Sequence, residues 1–576
     1  MTARWNLSLL VMWTVCGCGG SSTSDSSPTP LRFVDVTQSS GVTLPNVSGD
    51  PHDKLAIPAT LGQGAAALDF DADGLLDLFI ANGDAFAGPA AEADAGPALY
   101  RNLGNWRFED VTDVSGLDFD GWAHGVSRVD FDADDRDDLY VTVYGGPNRF
   151  FRNRGDGRFE ERSSVWGGDD TFPSTAAAFF DADSDGDLDL YVGNYVHYDP
   201  ADPPNAGKPC EWRGLAVMCG PKGTTPAADT FWENRDGRLL KAGERFGFAA
   251  VRPSYTLGAL AGDLDNDGDV DLYVANDSEP NYLFENLGGG RFREVGMLRG
   301  ADRNEDGRSQ AGMGVDLGDV DNDGRFDLFV TNFSHDTNTL YRNLLTPAGE
   351  TLFEDATYTM QLGLESYSYL GWGARIIDID HDGWQDVVVV SGHVYPQVDR
   401  MPVGTSYRQR NQIFLNRGRT ADGRTTFDER VPPPGDAFEL QNVSRGLVVA
   451  DLDNDGDADL LVVEMDGPPT LIRNDSRLDG HWIGFLLRGE AGNRDAIGAL
   501  VSVEDSDGQV RWRQQVGGGS YLSTGDPRLH FGLGSAAAPV RTITATWPSG
   551  KQTVYRDLPP NRYWLLQTSS PTPEPL

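Results

Sequence analysis

Carboxylates recur in this chain at a spacing that lets several of them act on one point. A nine-residue phrase with Asp at positions 1, 3, 5 and 9 occurs seven times. DFDADGLLD supplies Asp69, Asp71, Asp73 and Asp77, and DFDADDRDD supplies Asp130, Asp132, Asp134 and Asp138. DADSDGDLD carries Asp181, Asp183, Asp185 and Asp189, while DLDNDGDVD carries Asp263, Asp265, Asp267 and Asp271. The last three are DVDNDGRFD (Asp319, Asp321, Asp323, Asp327), DIDHDGWQD (Asp378, Asp380, Asp382, Asp386) and DLDNDGDAD (Asp451, Asp453, Asp455, Asp459). Four unpaired carboxylates in one turn repel one another, so the phrase calls for a cation. They converge only if the chain turns sharply, and Gly at position 6 allows this because it takes positive φ without a Cβ clash. Hard oxygen ligands in this number, joined by the position-7 carbonyl, suit Ca2+ better than the smaller and stricter Mg2+. About seven Ca2+ ions are therefore expected, one per loop. The second loop departs from the pattern with Asp135 at position 6, and a weaker site is expected there.

The residues around each loop decide what positions it. A helix–loop–helix hand needs Glu at position 12, but Ile80, Val274 and Val462 stand there. The loops are instead followed by alternating β-branched and aromatic runs such as 76–81 (LDLFIA) and 270–275 (VDLYVA). Small residues precede them, as in 64–68 (GAAAL). The unit is strand–calcium loop–strand. Successive loops start 61, 51, 82, 56, 59 and 73 residues apart, a period that suits a propeller with one four-stranded blade per repeat. A second landmark supplies strands three and four: LYRN at 99–102 with RFEDVT at 107–112, and YLFEN at 282–286 with GRF at 290–292. The repeat phase is informative. RFVDVT at 32–37 matches the end of a unit but has no loop before it, whereas the seventh unit stops after TLIRN at 470–474. The first segment can fill that missing strand and leave no open edge. The expected fold is all-β: a seven-bladed propeller over 31–476, then a small β-sandwich over 481–567 with no D-x-D-x-D-G loop, and a disordered tail at 568–576.

These motifs resemble the FG-GAP or VCBS-type repeats of integrin-α-like propellers, and more closely the cartilage acidic protein/UnbV (ASPIC) family. The closer likeness rests on GMGV at 312–315, GHVYP at 392–396, and three C-terminal motifs in order: NRDAIG at 493–498, LHFGLG at 529–534 and WPSG at 547–550. The resemblance implies the propeller-plus-sandwich architecture over about residues 31–567.

The ends and the charge set the compartment. Residues 1–18 read as a leader: Arg4 precedes an apolar stretch too short to span a bilayer, and VCGC at 15–18 resembles a bacterial lipobox with Cys18 as the lipidated residue. Residues 19–30 form a Ser/Thr/Pro tether. The chain is thus expected to be exported and lipid-anchored at a bacterial cell envelope or cell surface, or else secreted. Membrane contact would come only through the anchor. Cys210 and Cys219 lie in the insertion that makes the 82-residue spacing, and a local disulfide is their natural pairing in an exported chain. Net charge is −41, and 33 of the 88 acidic residues sit in the seven loops, which excludes a nucleic-acid backbone as partner.

Enzymatic motifs are sparse. There is no G-x-S-x-G elbow, phosphate loop or H-E-x-x-H. His393 within GHVYP is read as a packed structural histidine, and Trp372, Tyr395 and Tyr407 as candidates for a binding surface. The expectation is a monomeric calcium-binding scaffold, not an enzyme, that engages a protein or glycan. The alternative is a carbohydrate-active enzyme of polysaccharide-lyase type, which would need a poised base outside the calcium loops.

Overall fold

The computed structural model describes residues 31–50, 54–83, 96–199, 201–347 and 349–576. The leader, the tether and Cys18 lie outside the described residues. The fold is all-β, and the helices among the described residues are single turns. In the first repeat Ala65–Leu68, Asp77–Ile80, Ala98–Asn102 and Phe108–Asp110 form one antiparallel sheet in chain order. The carboxylate loop joins its first strand to its second. The five repeats that follow use the same plan, with extra segments inserted between strands two and three of sheets three and six.

The seventh sheet takes its fourth strand from the other end of the chain. Ser444–Ala450, Asp459–Glu464 and Thr470–Asn474 are completed by Phe33–Asp35, with Phe33 opposite Asn474 and Asp35 opposite Ile472. The D-V-T motif explains the fit. Asp35 accepts hydrogen bonds from the Thr37 amide (2.9 Å) and hydroxyl (2.6 Å), and the Thr37 hydroxyl in turn accepts from the Leu471 amide (2.8 Å). Asp110 and Thr112 do the same for Leu99 inside the first repeat. First strands touch first strands all the way along: one on two, two on three, and so to seven, with sheet seven also against sheet one.

Those first strands are buried and rich in Ala and Gly because another backbone lies on them. C-terminal to the seven sheets, two further four-stranded sheets enclose Phe485, Leu487, Val501, Phe531, Ile543 and Trp547. The connection at 515–526 leaves this core and runs along the inner strands. Gly517–Gly518 pairs with Leu260 and Ala261 of sheet four. The Leu522 carbonyl accepts from the Val126 amide (3.0 Å), Thr524 pairs alongside Ala66, and the Asp526 amide donates to the Val449 carbonyl (3.1 Å). A Cβ on Gly64 would lie 1.6 Å from the Leu522 carbonyl oxygen, so only glycine fits this crossing. The C-terminal region is thus woven into the repeats and not merely appended.

Two expectations change or gain detail here. Residues 568–576, expected as a disordered tail, include the strand Ser570–Pro575, paired with Tyr563–Gln567. The insertion after sheet three's second strand folds as a hairpin, Cys210–Trp212 with Leu215–Val217, closed by the Cys210–Cys219 disulfide.

Candidate metal centres

Each carboxylate loop is built by its own aspartates. The position-1 side chain accepts the amides of positions 5 and 6, as Asp69 does from Asp73 and Gly74, both at 3.0 Å; in the loop at Asp378 the position-5 amide goes to Asp380 instead. In every loop but the one at Asp130 the position-5 carboxylate accepts the position-7 amide, as Asp73 does from Leu75 (2.9 Å). Position 9 ties the start of the loop to the third strand: Asp77 accepts from Phe70 at position 2 (3.1 Å) and from Asn102 in the third strand (2.7 Å). Asn102 then donates across the sheet boundary to the Leu452 carbonyl of sheet seven (2.8 Å). Position 6 has positive φ throughout, including Asp135 at 65°. Position 4 has it as well, in Ala72, Ala133, Ser184, Asn266, Asn322, His381 and Asn454, which the sequence reading missed. Asn suits this conformation, and three of these Asn side chains link loop to loop. Asn266 donates to Gly324 (3.1 Å), Asn322 to Gly383 (3.1 Å) and Asn454 to Gly74 (2.9 Å).

Of the expected carboxylates, positions 1, 3 and 9 converge most tightly. In loops one to five one oxygen from each lies within 4.8 Å of the others. Position 5 stands beside them, near enough that Asp267 helps raise Asp265. The position-3 side chain is the telling one. One oxygen is held by a neighbour: Asp71 by Arg101 (2.9 Å), Asp132 by Arg152 (2.5 Å), Asp321 by Arg342 (2.6 Å), Asp453 by the Trp106 indole (2.7 Å). The second oxygen of Asp71, Asp132, Asp183, Asp321 and Asp453 is buried and meets no donor among the described residues. A buried unpaired carboxylate oxygen is costly. An all-oxygen donor set with such an oxygen fits a hard divalent cation.

Burial is also the main reason these groups resist ionisation. It pushes position 9 up to about 8 in Asp77, about 9 in Asp138 and about 8 in Asp189, and well above the usual range in Asp271, Asp327, Asp386 and Asp459. At position 1, Asp130, Asp319 and Asp451 are raised to about 7, again by burial first. A cation among them would reverse that preference.

The C-terminal region packs on this end of the sheets. Asp495 accepts the Asp130 amide (2.7 Å) and pairs with Arg128 (3.0 Å), Arg494 pairs with Asp135, and the Tyr563 hydroxyl donates to Asp451 (2.8 Å).

At the other end, beyond the second strands, aromatic residues gather. His393 is buried, with Nδ1 accepting the Tyr395 amide (3.0 Å) and Nε2 3.0 Å from the Ser334 hydroxyl. The first bond fixes the proton on Nε2, so the ring donates to Ser334. Trp212 and Phe333 pack against it. Trp372 and Tyr395 line a cavity of about 220 Å3 with Tyr195, Trp212, Asp277 and Asp336. Tyr407 packs against the hydrophobic core that holds Trp372 and Tyr395 but does not line the cavity. The sequence reading missed Tyr195, Asp277 and Phe333. Each stands 14 residues after the start of its own loop, so stacking the repeats on one another would have exposed this variable position.

The FG-GAP-like repeat pattern matches residues 69–141, 130–192, 263–330, 319–389 and 378–462, and the ASPIC and UnbV pattern matches 489–573. The chain is 26% identical over 520 residues to cartilage acidic protein 1 of Mus musculus, covering 87% of this chain and 72% of that protein. The Homo sapiens protein of the same name is 25% identical over 520 residues, with 87% and 71% covered. Among solved structures, an Agrocybe aegerita lectin described for specific recognition of non-reducing terminal N-acetylglucosamine overlaps with a TM-score of 0.37 at 14% identity, over 70% of this chain and 90% of its own. An exotype rhamnogalacturonan lyase overlaps with a TM-score of 0.28 at 11% identity, over 75% and 90%. Overlaps this loose carry no functional argument.

Proposed function

This chain belongs to the FG-GAP-like repeat family, with an ASPIC and UnbV domain at its C-terminus, and we propose that it is a calcium-loaded binding or scaffold protein of the bacterial cell envelope. The seven sheets are the blades of one propeller, closed by Phe33–Asp35, and the two C-terminal sheets form a β-sandwich that seals its axis. One Ca2+ occupies each loop, held by the position-1, -3, -5 and -9 aspartates. The protein is exported and lipid-anchored through Cys18, monomeric, and binds a protein or glycan through the propeller or the C-terminal domain.

The observation that carries the calcium assignment is the buried, donor-free oxygen at position 3, repeated in five loops. Binding is favoured over lyase chemistry by His393, whose two ring nitrogens are already engaged, leaving no free base there. Elemental analysis of protein dialysed in calcium and then freed of loose ions should give about seven Ca2+ per chain. Fewer than about four would sink the assignment.

A further inference from the structure

We propose that the cavity at the end of the sheets away from the carboxylate loops is a binding site for an organic ammonium group. The proposal deepens the binding reading above by naming a ligand class, and it rests on that reading for the fold alone.

The cavity of about 220 Å3 has aromatic walls, Tyr195, Trp212, Phe333, Trp372 and Tyr395, and two carboxylates, Asp277 and Asp336. The Tyr195 hydroxyl (2.6 Å) and the Ser278 hydroxyl (2.8 Å) hold Asp277 in place. Among the described residues no Lys, Arg or His forms an ion pair with either carboxylate, whereas Asp71, Asp132 and Asp183 at the loops each have an arginine. Exposed Lys222, on the segment following the disulfide hairpin, acts on both from farther off, and Arg308 acts on Asp336 in the same way. Burial raises Asp277, and it raises Asp336 to about 6. Aromatic faces around two under-compensated carboxylates attract a desolvated cation through both ring quadrupole and charge. Two rings already show this habit: Arg445 lies 4.0 Å from the Trp372 ring centre and Arg213 5.5 Å from that of Trp212, and neither guanidinium lines the cavity.

The insertion after sheet three gains a purpose here. Its hairpin brings Trp212 and Met218 into the wall, and Gly220 and Pro221 follow directly. The apolar wall selects an ammonium on a hydrocarbon body over a hydrated metal ion.

The test uses the full calcium-loaded chain, its metal content measured first, titrated by calorimetry and tryptophan fluorescence with hexylammonium, 1-hexanol and hexanoate. Hexylammonium should bind saturably and at least about tenfold more tightly than hexanol, with hexanoate weakest. Asp336→Asn should weaken hexylammonium about tenfold and leave hexanol unchanged, and Asp277→Asn should do the same if it folds. An acetyl-Gly-Lys-Gly-amide arm separates the sources: binding at hexylammonium strength assigns the site to a partner's basic side chain, and weaker binding to a free amine. Equal affinity for hexanol and hexylammonium in the unaltered protein, no saturable binding, or an unaffected Asp336→Asn would overturn the proposal. A normal calcium content beside any of these results would leave the calcium assignment standing.

Discussion

The loops at Asp130 and Asp263 share one ligand pattern and sit in opposite electrostatic surroundings. At the first, Arg152 reaches Asp132 (2.5 Å) and Asp134 (2.9 Å), Arg136 also pairs with Asp134, and Arg128 and Arg494 pair with Asp137 and Asp135. At the second, no basic side chain among the described residues pairs with any of the five aspartates. The third-strand position filled by Arg152 in sheet two holds Glu285 in sheet four, and its charge adds to the burial, Asp267 and Asp263 that push Asp265 up to about 7. If the loops bind metal as proposed, the ligand motif would fix where a cation goes but not how much the protein needs it. Loop two has protein cations in reserve, while loop four would leave its charge to the metal.

The largest expected effect is removal of metal from all loops at once. Each site that binds only the folded state contributes about 2.7 kcal/mol at a hundredfold excess over Kd, so EDTA should lower the melting temperature steeply. Residues 515–526 run along inner strands of sheets one, two, four, five and seven, so repeats and C-terminal region should melt together in one calorimetric transition. The chelated protein should also be less stable at pH 9 than at pH 6. Asp77, Asp138 and Asp189 are held at about 8 to 9 when folded, far above an unfolded aspartate near 4. The folded state therefore binds more protons across that window, and the stability they contribute is complete below the unfolded value and is lost as pH rises through the folded one. A melting curve indifferent to chelator, or a chelated protein that gains stability toward pH 9, would contradict this.

A smaller effect sharpens the contrast between the two loops. Glu285→Arg should give loop four a cation like that of loop two, although it also removes the Glu285 pairs with Arg293 and Arg299. The calcium affinity of that loop should then fall about tenfold, because the arginine competes with the ion for Asp265. Arg152→Ala should do the reverse at loop two, tightening calcium, and should destabilise the chelated form as read by melting in EDTA. Parallel changes of calcium affinity in both variants, measured by calorimetry, would mean that the neighbouring charge does not set the difference.

The repeat itself was legible because strand alternation, the D-x-D-x-D-G phrase and the orphan RFVDVT segment are all local signals. The pairing of Phe33–Asp35 with Thr470–Asn474 followed from phase alone. The left-handed residue at position 4 was hidden because Ala and Ser occupy it in three loops, and neither announces that backbone as Asn does. Residues 515–526 read locally as a glycine-rich connection. Their inner-strand partners, among them Ala66, Val126, Leu260 and Val449, lie some 70 to 460 residues away in sequence, and no local pattern points to them. The final strand was missed for a related reason: Pro571, Pro573 and Pro575 suggest disorder, yet an edge strand tolerates proline.

The smallest effect concerns position 6 of loop two. Asp135 holds φ at 65°, a conformation that costs an L-residue about 1 kcal/mol relative to glycine. Asp135→Gly removes that strain, and it also removes the pairing with Arg494. The Asp135 side chain is 56% exposed, and an ion pair so open to solvent contributes about 0–1 kcal/mol. Two small terms of opposite sign should nearly cancel, so the variant should melt within a few degrees of the parent in calcium. The separate terms can be resolved with Arg494→Ala, which loses the pair and keeps the strain, and with the double variant. Its coupling energy with Asp135→Gly should stay below about 1 kcal/mol. A drop of several kcal/mol for Asp135→Gly alone would mean instead that this pair anchors the C-terminal region to sheet two, a role that Asp495, with bonds to both Arg128 and the Asp130 amide, is better placed to fill.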